Sequence, residues 1–199
     1  MQVYKAPIKD YQFLIKDFLN SGSLDSVFEN SDLNIDDLSM ILDEAAKLCE
    51  ETLLPINQLG DMEGCSFNQG NVKTPKGFKE AYKKFVENGW QGLTVSKKYG
   101  GQQLPYFVNM FLDEMISSSN MSFGLYAGLT SNAIDAIEKS ASEELKNLYL
   151  PKLSTGEWSG TMNLTEPHCG TDLGLSKTMA KPQEDGSYTI TGTKIFITC

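Results

Sequence analysis

The chain has 199 residues, of which 40% are hydrophobic, 10% aromatic and 22% charged, and 17 Lys and Arg stand against 26 Asp and Glu for a formal charge of −9. This is globular composition, enough for one large domain or one domain plus part of another. The acidic balance disfavours nucleic acid, since the basic pairs Lys83-Lys84 and Lys97-Lys98 stand apart, but it leaves room for a small phosphorylated ligand held by backbone N–H groups.

The four cysteines, Cys49, Cys65, Cys169 and Cys199, form no CxxC pair, so a zinc ribbon or disulfide framework is not expected; they read as reduced thiols of a cytoplasmic protein. The N-terminal Tyr4-Lys5-Ala6-Pro7 is mixed rather than leader-like, and no apolar run reaches the roughly 18 residues of a membrane span.

Residues 1–33 read as an N-terminal extension with one short helix carrying Tyr11, Phe13, Leu14, Phe18 and Leu19. From Asn34, Leu38, Ile41, Leu42, Ala45, Leu48 and Cys49 recur at helical spacing behind Asp36 and Asp37, and Pro55 predicts an end near Leu54. A turn-rich linker over 60–71 precedes Thr74-Pro75, which reads as the start of a helix with Phe78, Tyr82, Phe85 and Val86 buried and Gly89 as its C-terminal cap. Tyr99-Gly100-Gly101 is a backbone turn ahead of a helix carrying Phe107, Val108, Phe111, Leu112 and Met115. The small residues between Met121 and Lys139 predict a closely packed central helix, and Ser142 begins another that Pro151 should close.

After Gly156 the period changes to two. Trp158, Gly160, Met162 and Leu164 alternate, Lys177–Lys181 reads as a second strand, Asp185-Gly186 as a tight turn, and Tyr188, Ile190, Ile195 and Ile197 as a further strand that runs to Cys199 without a cap. The expected fold class is therefore α+β: an all-α domain over 34–155, then the opening strands of an incomplete β-domain over 156–199.

The segment Met162-Asn163-Leu164-Thr165-Glu166-Pro167-His168-Cys169-Gly170-Thr171-Asp172 joins a strand end, a sharp turn and a hydroxyl-bearing glycine loop. Thr165 and Thr171 could present hydroxyls and backbone N–H groups to a ligand, and an ordinary capped turn would use the same residues. His168 beside Cys169 suggests metal or thiol chemistry, but adjacent loop residues rarely supply opposed ligands or a base; Glu166 reads as a structural carboxylate rather than a proton acceptor. Phe196 and Thr198 alone are a half-buried strand pair.

Leu164-Thr165-Glu166-Pro167, Gly170-Thr171-Asp172 and Gly192-Thr193-Lys194-Ile195-Phe196-Ile197-Thr198, with Trp90-Gln91-Gly92-Leu93 and Tyr149-Leu150-Pro151, resemble the acyl-CoA dehydrogenase family over residues 35–199. The Tyr4–Pro7 opening and Pro167–Leu175 are similar to its longer branch, which includes 3-methylmercaptopropionyl-CoA dehydrogenases. The resemblance implies a helical domain followed by a β-barrel, with FAD lined by Met162, Asn163, Leu164, Thr165, Phe196, Ile197 and Thr198. Thr171 would meet the FAD pyrophosphate or the CoA arm of the substrate. The implied reaction is α,β-dehydrogenation of an acyl-CoA, with electrons passing to an electron-transfer flavoprotein and a dimeric or tetrameric assembly. The family's glutamate base would lie beyond Cys199, so no catalytic residue is assigned and the chain by itself is expected to be inactive. A non-catalytic module docking on a full-length subunit, and a truncated reading frame, are the alternatives.

Overall fold

The structure, a computed structural model, describes residues 3–19 and 33–197. The opening segment clasps the helical body: the Lys5 ammonium lies 2.6 Å from Glu50, and the Ala6 N–H donates to the same carboxylate at 2.9 Å. Helix α1 (Ile8–Phe13) runs into a π turn (Leu14–Phe18), burying Tyr11 and Ile15, and the Tyr11 ring packs 4.7 Å from Phe111.

Helix α2 (Ile35–Lys47) starts where expected, because the Asn34 carboxamide accepts from the N–H groups of Asp36 and Asp37 while Asp37 accepts from the Asn34 N–H. Pro55 does not end the helical run. A π turn (Leu48–Leu53) leads into α3 (Leu54–Glu63), where Pro55 sits in the first turn and its missing N–H costs no bond. The expected linker is thus the rest of α3 followed by a hairpin, β1 (Ser66–Asn68) on β2 (Asn71–Lys73), whose turn residues Gln69 and Gly70 both have positive φ.

Helix α4 begins at Phe78 rather than at Pro75 and runs to Glu87, because Gly77 at φ 92° breaks the helical path before it. Gly89, at φ 76°, follows the helix in the left-handed conformation expected of a cap. Phe85 and Phe123 meet edge to face at 5.5 Å, and Tyr82 and Tyr126 at 5.2 Å. The Gly100-Gly101 turn forms as expected, and its second glycine is sterically required: a Cβ on Gly101 would lie 2.1 Å from the Val95 carbonyl oxygen. Gly101→Ala should therefore destabilise by about 1–3 kcal/mol through backbone displacement, read as a lower denaturant midpoint at unchanged m.

The two helices expected after Pro105 form one kinked helix, α5 (Tyr106–Ser140), with non-helical φ −158° and ψ 85° at Asn120. Asn120 is fully buried; its Nδ2 donates to the Leu53 carbonyl at 3.1 Å and its Oδ1 accepts from the Phe123 N–H at 3.1 Å. It ends one arm and caps the next. Helix α6 (Glu143–Ser154) starts at Ser142 as expected and continues past Pro151, since buried Leu150, Leu153 and Ser154 hold its last turn on the body. The main core gathers Leu38, Leu42, Leu53, Leu93, Val108 and Met115, and a smaller one joins Val95, Tyr99, Ile134, Leu150 and Leu153.

Beyond α6 the chain changes character, as the change of period predicts, with less strand than expected. Residues 157–165 form no strand, since no described strand lies beside them to pair with their backbone. β3 (Met179–Pro182) and β4 (Tyr188–Thr191) pair antiparallel across the Asp185-Gly186 turn, in the register Met179↔Thr191 to Pro182↔Tyr188. The final strand ends at Thr191 rather than continuing through Ile197. Gly192 there approaches Thr178 so closely that a Cβ would lie 2.0 Å from its Oγ1. Among the described residues, only Glu166 and Cys169 are buried from 156 to 197, and no helix is long and apolar enough to cross a membrane.

Candidate functional site

The site is built around one carboxylate. Glu166 and Cys169 close a tight turn through reciprocal backbone bonds of 3.0 and 3.1 Å, which turns the Glu166 side chain inward. Its oxygens accept from the N–H groups of Lys177 at 2.8 Å and Thr178 at 3.0 Å and from the Lys194 ammonium at 2.8 Å. The bond from Lys194, followed by those from Lys177 and Thr178, holds the Glu166 carboxyl well below the ordinary carboxylate range. Glu166 is thus the structural carboxylate that the sequence suggests, and a group this acidic and fully bonded is no proton acceptor.

That anchor brings two distant motifs together. Lys194 also donates to the Leu164 carbonyl at 2.9 Å, and the Ile195 N–H donates to the Thr165 carbonyl at 2.9 Å, so the two motifs are tied where Leu164-Thr165 meets Lys194-Ile195. A Cβ on Gly170 would meet the Thr165 methyl at 3.9 Å, which sets the glycine loop against the same residue. The hydroxyl of Asn163's neighbour Thr161 receives the Asn163 amide at 3.3 Å. Met162, Leu164, Phe196 and Ile197 are 59, 46, 84 and 58% exposed, an apolar strip open to solvent. Phe196 holds φ 53°, a strained conformation for a bulky residue and of the kind found at ligand sites. Thr171 is exposed and its carbonyl accepts from the Leu173 N–H at 3.2 Å. Thr198 lies outside the described residues.

The strip is moored to the helices. The Gly160 N–H donates to Thr130 Oγ1 at 3.1 Å, and a Cβ on Gly160 would lie 2.4 Å from that of Ala133. Gly160→Ala should therefore push 157–165 off α5 and multiply the exchange rate of the Gly160 amide roughly tenfold, measured by hydrogen exchange, while the helical core keeps its protection. Lys152 reinforces the mooring, its ammonium 4.3 Å above the Trp158 ring and 3.2 Å from Glu157.

Glu166, His168 and Cys169 place one ligand atom each within 4.8 Å of one another. The carboxylate already accepts from three donors, one of them cationic, and His168 Nε2 lies 3.4 Å from it. His168 Nε2 lies 3.0 Å from the Leu175 carbonyl, a bond that requires the proton on that nitrogen and leaves it no lone pair for a metal. Cys169 Sγ faces Ser176 Oγ at 3.5 Å. The trio is a hydrogen-bonded knot.

Two concavities lie outside the residues picked from sequence. One, about 260 Å³, sits in the crook of kinked α5, between Leu112 and Ile116 on the first arm and Gly128 and Ser131 on the second, and is closed by Trp90 and Thr94. An open groove of about 990 Å³ is walled by Phe78, Tyr82, Phe123 and Tyr126. The sequence signal for the crook was Asn120 between two helical runs, legible as a break but silent about the space that it encloses.

The profile of the acyl-CoA dehydrogenase N-terminal domain matches residues 36–157. The chain is 43% identical to 3-methylmercaptopropionyl-CoA dehydrogenase of Ruegeria pomeroyi and 36% identical to a butyryl-CoA dehydrogenase of Syntrophomonas wolfei, in each case over 98% of this chain and 33% of the relative. It thus spans about a third of the length of these relatives. Among solved structures, an acyl-CoA dehydrogenase complexed with FAD from Bacillus anthracis superposes with TM-score 0.68 at 26% identity, covering 87% of this chain and 28% of that one. A Geobacillus kaustophilus acyl-CoA dehydrogenase gives 0.69 at 25% identity, covering 84% and 41%. With the helical domain, the joined motifs and these matches in agreement, the chain belongs to the acyl-CoA dehydrogenase family.

Proposed function

We propose that the chain supplies the helical domain (34–155) and, within 156–199, one wall of the flavin site of an FAD-dependent acyl-CoA dehydrogenase. The observation that supports this reading is the Ile195–Thr165 bond, which joins the two motif segments, on which Met162, Leu164, Phe196 and Ile197 are exposed. A flat ring system would fit that strip: Met162, Leu164 and Phe196 offer apolar area, and Asn163 and Thr165 offer polar groups. Bound there, FAD would supply the acceptor for the β-hydride of the acyl thioester. The residues of the chain orient and shield. Glu166 fixes the two motif segments through Lys194, the mooring at Gly160 aligns them with α5, and the apolar strip excludes water from one side.

Within the proposal, the substrate is an acyl-CoA, with 3-methylmercaptopropionyl-CoA the candidate drawn from the branch. Thr171 lies toward its CoA arm or the FAD pyrophosphate, an electron-transfer flavoprotein is the acceptor, the assembly is a homodimer or tetramer, and the location is cytoplasmic.

With its strip this exposed, the isolated chain should bind FAD weakly and turn over no acyl-CoA. Titrating FAD into the ¹⁵N-labelled chain should shift the amides of 162–165 and 195–197 at high ligand concentration. A purified chain that is yellow and reduces a dye would overturn the expectation of weakness, and shifts confined to other residues would sink the assignment of the wall. The same exposed apolar strip also suits docking on another polypeptide. Gel filtration separates that reading, because a monodisperse monomer indifferent to a full-length subunit argues against it.

A further inference from the structure

The N-terminal segment 3–19 lies on the helical body with part of its apolar surface left in water. Ala6, Tyr11 and Ile15 are buried, whereas Phe13 and Phe18 are 56 and 67% exposed. Its inner face bridges two elements. Tyr11 packs on Phe111 of the first arm of α5, and the Lys5 ammonium and the Ala6 N–H both end on Glu50, in the π turn that joins α2 to α3. Lys5 keeps most of its side chain in water, where an ion pair contributes little, and the Lys16–Asp36 pair at 3.8 Å is exposed on both sides. The Ala6 bond to Glu50 is therefore the stronger part of the fastening.

A second observation sets this contact apart from the rest of the core. The Tyr4 and Tyr11 hydroxyl oxygens are buried without a hydrogen-bond partner, two of the five such side-chain atoms among the described residues. Burial, and after it the charge of nearby Glu114, raises the Tyr11 phenol, while Glu114 itself is exposed. Each ring gains by leaving water, and its unbonded hydroxyl takes back part of that gain. The helix in the segment is also too short to persist alone: α1 has six residues, no side-chain cap at Pro7 and a π turn behind it. Detachment and unfolding of the segment are thus one event.

We propose that residues 3–19 form a strap, latched at the Glu50 carboxylate, that opens as one unit while the helical body stays folded. Opening uncovers the Phe111 ring on α5 and the Glu50 side of the π turn. Order in the extension and access to that face of the helical body are then two aspects of one equilibrium.

Hydrogen exchange on the ¹⁵N-labelled chain near pH 7 provides the test. The amides of Tyr11, Leu14 and Leu19, each hydrogen-bonded within the strap, should share one opening constant, roughly a hundredfold larger than that of Leu112 or Met115 in α5. Glu50→Ala should multiply that constant about tenfold and leave Leu112 and Met115 unchanged, whereas Lys5→Ala should change it less than about threefold. Tyr11→Phe should divide it by about three or more, because the ring stays and the unbonded hydroxyl goes. Faster opening in Tyr11→Phe would mean that the hydroxyl is bonded, to Glu114 or to water, and would overturn the strap. So would strap amides as protected as those of α5, which would make the segment an integral part of the core, or three unequal constants, which would be fraying from the end. An opening constant unchanged in Glu50→Ala would overturn the latch.

Discussion

Replacing Asn120 with alanine should destabilise the helical body by about 2–4 kcal/mol. The side chain serves two elements at once, and neither has a substitute within reach of solvent. Its Oδ1 caps the second arm of α5 through the Phe123 N–H, a contact of a type that contributes about 1 kcal/mol. Its Nδ2 satisfies the buried Leu53 carbonyl, where an orphaned acceptor costs about 1–3 kcal/mol. Thermal unfolding should report a midpoint lowered by roughly 5–15 °C for a chain of this size. Asn120→Asp separates the two contributions, because it keeps the cap and loses the donor, and it should fall between wild type and Asn120→Ala only if the carboxylate escapes burial. An Asn120→Ala chain as stable as wild type would mean that the break is imposed by neighbouring packing rather than by this side chain.

Replacing Glu166 with glutamine should dissolve the strip while sparing the helices. Three donors converge on the carboxylate from two other segments, and a carboxamide offers one acceptor oxygen where two are used, with its NH₂ forced against an N–H or the Lys194 ammonium. Exchange of the Lys177, Thr178 and Ile195 amides should accelerate by roughly tenfold or more in Glu166→Gln, while those of α2 and α5 stay protected. The pH dependence follows from the direction of the shift. A carboxyl whose folded value is depressed below its unfolded value of about 4.3 contributes stability that is fully present above the unfolded value and is lost as pH falls toward the folded one. Protection in the wild type should therefore be level between pH 7 and 5 and decline progressively below about pH 4, and the Glu166→Gln chain should show no such decline. A wild-type profile flat through pH 3 would contradict the lock.

Local chemistry made much of the helical domain legible. Asn34, Gly89 and Ser142 mark helix ends that the structure keeps, because caps act through bonds within one turn. The prolines misled for a related reason. Pro55 and Pro151 were read as terminators, yet a proline forbids only its own N–H bond and the space beside the preceding turn. At Pro55 that bond is not needed, and at Pro151 burial of Leu153 outweighs the loss. The expected strands at 157–165 and 192–197 carry the right alternation, but a strand needs a neighbour to complete its ladder, and alternation cannot supply one.

By itself the sequence determined the change from helical to strand-bearing chain near residue 156, the start of α2, the turn at Asp185-Gly186, and the family to which the chain belongs. These depend on short-range bonds or on residue identity. Only the tertiary structure decided that Thr165 lies against Ile195 some thirty positions away, that Glu166 is a tie rather than a base, and that Asn120 folds α5 around a polar cavity. The reason is common to all three. A carboxylate or a carboxamide has the same intrinsic chemistry wherever it stands, and which donors reach it is set by packing among segments far apart in the chain.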